Sequence, residues 1–298
     1  MLQIANGWFA KYLAAGLIWG SSFLFIAVGV KALPPVGVAF WRLAIGAITM
    51  YAIVRLSGQR LPREPRVWGI MAIGGLFMSA IPFVLFSYAE QHVSSGLAGI
   101  INAATPVMTV LMILLFFRDE RPNRQTLIGL AIGLIGVAVV LGAWNGFGAS
   151  DPTAVLALIG AIACYGFGTP FMRRFIGPLG LPASVSTFGQ ISTATLILTP
   201  FYLTGPLTIG EVRIETILAM LALGALGSGI AYWLYYGVIA AVGSTIASSV
   251  TLITPLVAVS LGMLLLGEQP HWYEPVGGLI VILGAAWSQG YLKCRPKL

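Results

Sequence analysis

The sequence predicts an all-α membrane protein with ten transmembrane helices, built as two five-helix repeats of opposite orientation. Of its 298 residues, 58% are hydrophobic and 8% are charged, a composition that excludes a water-soluble domain. Apolar runs of about 20 residues, the length that a spanning helix needs, recur along the chain. An internal repeat is the third observation: residues 67–117 align without a gap on residues 216–266, at a shift of 149 positions.

The repeat preserves chemically distinctive residues at matching positions. The aligned pairs are Gly75 with Gly224, Ser79 with Ser228, Val93 with Val242, Ser95 with Ser244, and Thr105-Pro106 with Thr254-Pro255. A repeat of this length predicts that both halves have the same architecture. We therefore expect a first five-helix unit at 1–148 and a second at 149–298, separated near the break at 145–151.

Ten apolar segments follow one another with short links between them. The predicted spans are 12–32, 36–57, 67–89, 95–117, 125–144, 153–172, 184–204, 216–240, 244–267 and 274–292. The first is long for the core of a signal peptide, so we expect it to be a retained span. None of the links is long enough to hold a soluble domain.

The basic residues predict the orientation. With the N-terminus in the cytoplasm, the inner segments hold thirteen Lys and Arg residues and the outer links hold two, Lys31 and Arg213. This bias places both termini in the cytoplasm. An odd number of spans per repeat inverts the second copy, and the links agree: Arg66 in the first copy aligns with Glu215 in the second. Inverted repeats are typical of transporters that hold substrate between their halves.

Composition also narrows the function classes. The net charge of +7 lies in short links and a basic tail, which indicates topology and not nucleic-acid binding. Cys164 lies in an apolar run and Cys294 in the tail, so neither a disulfide nor a metal site is expected. No span centre contains Asp, Glu, Lys or His, which argues against a membrane-embedded enzyme and against a site for phosphates or nucleotide sugars. We expect no cofactor.

Spans three and eight carry the same stripe of one hydroxyl followed by two aromatic rings. The residues are Ser79, Phe83 and Phe86 in the first copy, and Ser228, Tyr232 and Tyr235 in the second. Their helical spacing puts each set on one face. One hypothesis is that they line a shared cavity suited to an apolar or aromatic solute. The alternative is ordinary helix packing.

Spans four and nine each contain a Thr-Pro pair near mid-depth. Pro106 and Pro255 remove the hydrogen bonds that would reach the carbonyl groups of Asn102 and Thr251. The freed carbonyls, with the stripes of small and polar residues beside them, predict either a binding surface for the polar part of a substrate or close helix packing. Those stripes are Ser95, Ala98, Asn102 and Thr105, and Ser244, Ala247, Thr251 and Thr254.

Three ionisable residues lie at or near the predicted outer ends. Arg42, about six residues inside span two, either contacts an anionic substrate group near the outer mouth or has a structural role, in which it extends to the outer lipid headgroups or pairs with backbone. The structural role is favoured. Glu90 and His92 follow span three. One hypothesis is that they form a proton-coupling pair. The favoured interpretation is that both are solvated groups at a helix end.

The remaining candidates are weaker. Trp19, Ser22 and Phe23 in span one and Tyr165 in span six are further cavity candidates. Pro82, Pro106 and Pro255 are predicted hinges. Glycines in spans five and ten suit close packing or self-association, so the protein is expected to be a monomer or a weak homodimer. These glycines are Gly129, Gly133, Gly277, Gly278 and Gly284.

Several short motifs resemble those of the drug/metabolite transporter superfamily, in its EamA-type form with two five-helix repeats. They are Trp19-Gly20-Ser21-Ser22-Phe23, Phe40-Trp41-Arg42, Gly99 through Pro106, Leu252 through Pro255, and Leu266-Gly267-Glu268. The acid that follows span four in the family is displaced here into Arg118-Asp119-Glu120. The resemblance covers nearly the whole chain.

Within that superfamily the chain is most similar to inner-membrane exporters of aromatic and other neutral amino acids. The resemblance implies a central cavity between the halves, alternating access, a small-molecule substrate and the lipid bilayer as surroundings. Efflux of drugs or purine-like metabolites by the same fold remains the alternative. The sequence leaves the energy source open.

Overall fold

The computed structural model describes residues 2–116, 124–140 and 151–288. Several predictions concern residues outside these ranges, or side chains that are not described: the basic residues Arg118, Arg121, Lys293, Arg295 and Lys297, the acids Asp119 and Glu120, Cys294, the break at 145–150, and the side chains of Ser244 and Ala247. The described ranges contain helices and no β-strand. The all-α class is confirmed.

Thirteen α-helices and several tighter or wider turns make up the described chain. The α-helices are α1 (Leu2–Gly29), α2 (Pro35–Leu56), α3 (Pro65–Gly75), α4 (Ile81–Ala89), α5 (Ser95–Asn102), α6 (Thr105–Phe116), α7 (Arg124–Val140), α8 (Pro152–Phe171), α9 (Ala183–Thr204), α10 (Ile214–Ala222), α11 (Ala231–Ser248), α12 (Thr254–Leu261) and α13 (Tyr273–Ser288). π-helical turns at Leu76–Ala80 and Leu223–Ile230 join α3 to α4 and α10 to α11, and another follows α12 at Gly262–Leu266.

Sequence signals mark several helix starts. Proline opens α2, α3 and α8, where the missing N–H costs no helical hydrogen bond. Asp151 caps α8 by accepting hydrogen bonds from the Thr153 backbone N–H and hydroxyl at 2.8 and 2.7 Å. Those bonds lower the pKa of the Asp151 carboxyl, because they stabilise its ionised form.

Five helical segments are long and apolar enough to cross a membrane: Gly7–Gly29, Pro35–Leu56, Pro65–Ala89, Pro152–Leu179 and Ile214–Val238. The pair Ser95–Asn102 and Thr105–Phe116 makes a sixth if it is counted as one bent span. Shorter apolar helices cover the predicted fifth, ninth and tenth spans. The predicted seventh span, α9, is less apolar than these segments because it is rich in Ser and Thr. Several of these side chains are buried inside the protein.

The predicted boundary between spans eight and nine is wrong. The sequence places a link at 241–243 between spans eight and nine, but α11 continues through these residues to Ser248. Gly243 and its small neighbours offer no residue that must end a helix. The chain turns instead through a 3₁₀ segment at Ser249–Leu252, just before Pro255.

Corresponding helices of the two copies run in opposite directions. In the predicted fourth and ninth spans, Gly96 packs on Val259 and Gly99 packs on Ala258, so these two spans run antiparallel. In the fifth and tenth spans, a Cβ placed on Gly136 would lie 2.6 Å from the Val281 backbone nitrogen, and Gly133 meets Gly284. Both pairs are antiparallel, as an inverted arrangement requires.

Different spans of opposite copies pack in parallel. Gly75 of α3 lies against Gln190 of α9, and Gly224 lies against Ile45 of α2. Gly75 and Gly224 are aligned by the internal repeat, so the two contacts are related by the same exchange of halves. Each glycine lets the backbone of a helix from the other half come close, which brings the neighbouring serines into the interface between the halves.

Candidate functional site

Two equivalent serines lie at the centre of the interface between the halves. Ser79 and Ser228 are fully buried, and each lies in a π-helical turn, a feature that is frequent at functional sites. The Arg42 Nε atom donates a hydrogen bond to the Ser228 hydroxyl at 2.9 Å. The Gln190 amide nitrogen donates to the Ser79 hydroxyl at 3.0 Å. Each serine therefore accepts from a side chain of the opposite half.

Arg42 is buried, with 6% of its surface exposed, and does not extend to the lipid headgroups. Its guanidinium carbon lies 3.6 Å from the centroid of the Phe83 ring, a cation–π contact. Its Nε bond to Ser228 is its only hydrogen bond within the described part of the chain. The two terminal nitrogens have no hydrogen-bond partner there. The predicted extension to the headgroups is wrong, because α2 turns this face inward, where the Arg42 side chain contacts Phe83 and Ser228.

Gln190 is the functional candidate that the sequence did not single out. It is fully buried, and its amide oxygen accepts a hydrogen bond from the Tyr236 hydroxyl at 2.9 Å. With the bond to Ser79, Gln190 links spans three, seven and eight. The available signal was an amide inside an apolar span, which requires a polar partner.

The π turns also present backbone carbonyl groups to the opposite half. The Tyr232 hydroxyl donates to the Met78 carbonyl at 2.9 Å, and the Trp19 indole nitrogen donates to the Gly227 carbonyl at 3.0 Å. Residues 78 and 227 are aligned by the repeat. A π turn disturbs the helical ladder, and here an aromatic donor from the other half satisfies the extra carbonyl in each copy.

The predicted aromatic residues form two groups around this centre. Trp19 lies 5.2 Å from Tyr232 and 5.0 Å from Tyr235, measured between ring centroids. In the second group, Phe86 lies 5.7 Å from Phe23 and 6.0 Å from Tyr165. The sequence candidates from spans one, three, six and eight are thus brought together in space.

The Thr-Pro pairs have a local role that their spacing did not reveal. The hydroxyl of Thr105 donates to the Asn102 carbonyl at 2.6 Å, and that of Thr254 donates to the Thr251 carbonyl at 2.7 Å. These are the carbonyls that Pro106 and Pro255 leave without their helical partners. These carbonyls therefore have a local partner, and a role for them in substrate binding stays a prediction. The axis bends by 43° between α5 and α6.

Other candidates differ in their surroundings. Ser22 is buried and donates to the Ile18 carbonyl at 3.0 Å, within its own helix. Pro82 lies in the first turn of α4, directly after the π turn that holds Ser79. Glu90 is 7% exposed, whereas His92 is exposed and its Nδ1 lies 3.1 Å from the Tyr88 carbonyl oxygen. No hydrogen bond joins Glu90 to His92 in the described chain, so the predicted pair is not assembled. The favoured interpretation, that both groups are solvated, fits the exposed His92 and is wrong for Glu90, which is buried.

Glu268 connects the two halves at the end of the bundle where Glu90 lies. Its carboxylate accepts hydrogen bonds from the backbone N–H groups of Ser95, at 2.8 Å, and Gly96, at 3.1 Å. Glu268 follows span nine, which belongs to the second copy. Ser95 and Gly96 begin span four, which belongs to the first copy. We call this contact the Glu268 cap. Among the described residues there is no group of three or more His, Cys, Asp or Glu side chains arranged to hold a metal ion.

Comparison with known proteins identifies relatives along most of the chain. The model of the EamA-like transporter family matches residues 7–142 and again residues 152–288. The "Uncharacterized inner membrane transporter YedA" of Escherichia coli (strain K12) is 30% identical over 269 residues, covering 90% of this chain and 84% of that protein. The "Probable terminal-alkyne amino-acid exporter" of Streptantibioticus cattleyicolor is 29% identical over 271 residues, covering 89% of this chain and 88% of that protein.

A solved crystal structure supports the same architecture. It superposes on this chain with a TM-score of 0.68 at 22% sequence identity, and the match covers 94% of this chain and 95% of the other. At this identity the likeness establishes the fold alone.

Proposed function

Since this chain belongs to the EamA-like transporter family, we propose that it exports aromatic and other neutral amino acids by alternating access. In this proposal the ten helices form two inverted units, 1–148 and 149–298, in a bacterial inner membrane with both termini in the cytoplasm. The end that holds Glu90 and the Glu268 cap faces outward. Membrane transport itself follows from the family.

The observation that carries the substrate proposal is the buried Arg42 guanidinium, which lies on the Phe83 ring and interacts electrostatically with Tyr165 and Tyr232, one tyrosine from each aromatic group. Its terminal nitrogens have no protein partner in the described chain, and a carboxylate is the anion whose geometry they match. The rings of these aromatic groups suit an apolar or aromatic side chain. A relative whose name describes amino-acid export adds support.

Efflux of drugs or purine-like metabolites is the second candidate. The aromatic groups at Trp19, Tyr232 and Tyr235 favour it, because flat rings stack on such surfaces without needing a carboxylate. Such a substrate would leave the buried charge of Arg42 unused. The two candidates therefore differ in what they require of Arg42.

Counterflow in liposomes containing the purified protein separates the candidates. We expect saturable exchange of labelled phenylalanine that unlabelled phenylalanine on the opposite side accelerates. Phenethylamine, which keeps the ring but lacks the carboxylate, should not compete. Exchange of purines or dyes without phenylalanine exchange would contradict the amino-acid proposal and support the alternative.

Substitution of the ring beneath Arg42 tests the same site. Phe83→Leu should raise the half-saturating phenylalanine concentration several-fold, since the cation–π contact that orients the guanidinium is lost. Phe201→Leu is the matched control, because Phe201 is exposed at the surface of α9. Equal kinetics for the two variants would remove Phe83 from the site.

A further inference from the structure

Glu90 is a buried carboxylate without a partner. It follows α4 directly, is 7% exposed, and neither of its oxygens has a hydrogen-bond partner among the described residues. Enclosing an ionised carboxylate under these conditions is strongly unfavourable. The neutral acid is the form that suits this packing.

Two charged groups act on Glu90 electrostatically, Arg42 from α2 and Glu268 from the loop after span nine. From α1 the Ala27 backbone favours the ionised form of Glu90, although it makes no hydrogen bond to either oxygen by distance and angle. His271 and Glu274 act on one another and Glu274 faces Glu268, while the exposed His92 faces Asp151. Glu268 is the like-charged residue that acts on Glu90. Ionisation of Glu90 therefore repels the Glu268 carboxylate.

The Glu268 cap must break before the halves can separate at this end, because its two sides belong to different halves. A negative charge on Glu90 repels the Glu268 carboxylate and also attracts water into the packed region. Both effects weaken the cap. Protonation of Glu90 removes both the repulsion of Glu268 and the attraction of water.

We infer that Glu90 is a proton-binding site that must be occupied for the outer ends of the two halves to close. The proton comes from water, forms an O–H bond at one Glu90 oxygen, and returns to water when the end opens. This inference rests on the proposed alternating-access function, to which it adds the site where a proton would couple to transport.

Accessibility of a cysteine beneath the Glu268 cap tests the inference. Ser95 is buried and its hydroxyl has no partner, so Ser95→Cys is a conservative reporter in a Cys164→Ala, Cys294→Ala background. A membrane-impermeant thiosulfonate is applied from outside between pH 5 and 8. The labelling rate is divided by that of Gln91→Cys, an exposed position on the adjacent link, which cancels the intrinsic pH dependence of thiols.

The expected ratio rises with outer pH by up to about tenfold per pH unit, the limit for one proton. Adding Glu90→Gln should hold the ratio low and independent of pH, because the neutral amide mimics the protonated acid. Glu211→Gln, which alters an exposed outer carboxylate, should leave the response of the parent intact. A flat ratio in the parent, or an unchanged response in Glu90→Gln, would overturn the inference.

Transport measurements give a second readout with a separate outcome. If amino-acid counterflow is present, Glu90→Gln should lose net transport driven by a pH gradient, because its outer end no longer responds to the outer pH. Full gradient-driven transport in that variant would also overturn the inference. Failure of all amino-acid counterflow would refute the proposed substrate, while the labelling response would still test Glu90.

Discussion

Replacing Arg42 by methionine is expected to reduce amino-acid exchange on the order of 100-fold, or about 3 kcal/mol, the range found when one member of a buried charge pair is removed. Methionine fills a similar volume but offers no donor to a carboxylate. Arg42→Lys keeps the charge but loses the planar guanidinium, which in the proposed site donates to Ser228 and to the substrate carboxylate together, so an intermediate loss is expected. Initial exchange rates in liposomes give the measurement.

Thermal stability distinguishes a lost binding group from a damaged fold. Without substrate, Arg42 is a buried charge with no described anionic partner within ion-pair distance, so its removal should leave the unfolding temperature unchanged or higher. Arg55→Met is the control, since Arg55 is exposed in the last turn of the same helix. Normal exchange in a well-folded Arg42→Met protein would show that Arg42 does not hold the substrate.

The largest effect on stability is expected at the two equivalent glycines between the halves. A Cβ on Gly75 would overlap the Gln190 carbonyl oxygen and lie 3.2 Å from the Ala194 nitrogen. A Cβ on Gly224 would lie 2.9 Å from the Arg42 carbonyl oxygen. Because these neighbours are backbone, they cannot move aside by changing rotamer. Gly75→Ala and Gly224→Ala should each reduce the free energy of unfolding by about 1–3 kcal/mol.

Gly69 provides the matched control in the same helix as Gly75. A Cβ there meets nothing within 4 Å, so Gly69→Ala should leave stability unchanged or raise it by up to about 1 kcal/mol. Thermal unfolding of the detergent-solubilised variants, followed by loss of the monodisperse peak, gives the comparison. Equal unfolding temperatures for Gly69→Ala and Gly75→Ala would contradict the close packing of α3 on α9.

The helical class and the opposed directions of the two copies were predictable because repetition and composition act over long stretches. The aligned serines, Ser79 and Ser228, were recognised for the same reason. Helical spacing assigns residues to a face, but it does not say what that face meets. Spacing alone therefore does not distinguish contact with the lipid headgroups from the contacts that Arg42 makes with Phe83 and Ser228.

Local backbone geometry accounts for the other differences. The Thr-Pro spacing correctly identified two carbonyls without helical partners, but the adjacent Thr105 and Thr254 hydroxyls satisfy them. The π turns around Ser79 and Ser228 have no simple sequence pattern, so the donation from Tyr232 to Met78 and from Trp19 to Gly227 was not foreseen. Gln190 was passed over because the repeat offers no matching residue for it.

The central claim is that two copies of one five-helix unit face opposite sides of the membrane and hold the substrate between them. Arg66 and Glu215 are aligned by the repeat and both are exposed, so a cysteine at each position reports the orientation of its copy. In intact cells, an impermeant thiol reagent should label Glu215→Cys and should label Arg66→Cys only after the membrane is opened. Labelling of both from the same side would contradict the inverted architecture and, with it, the site between the halves.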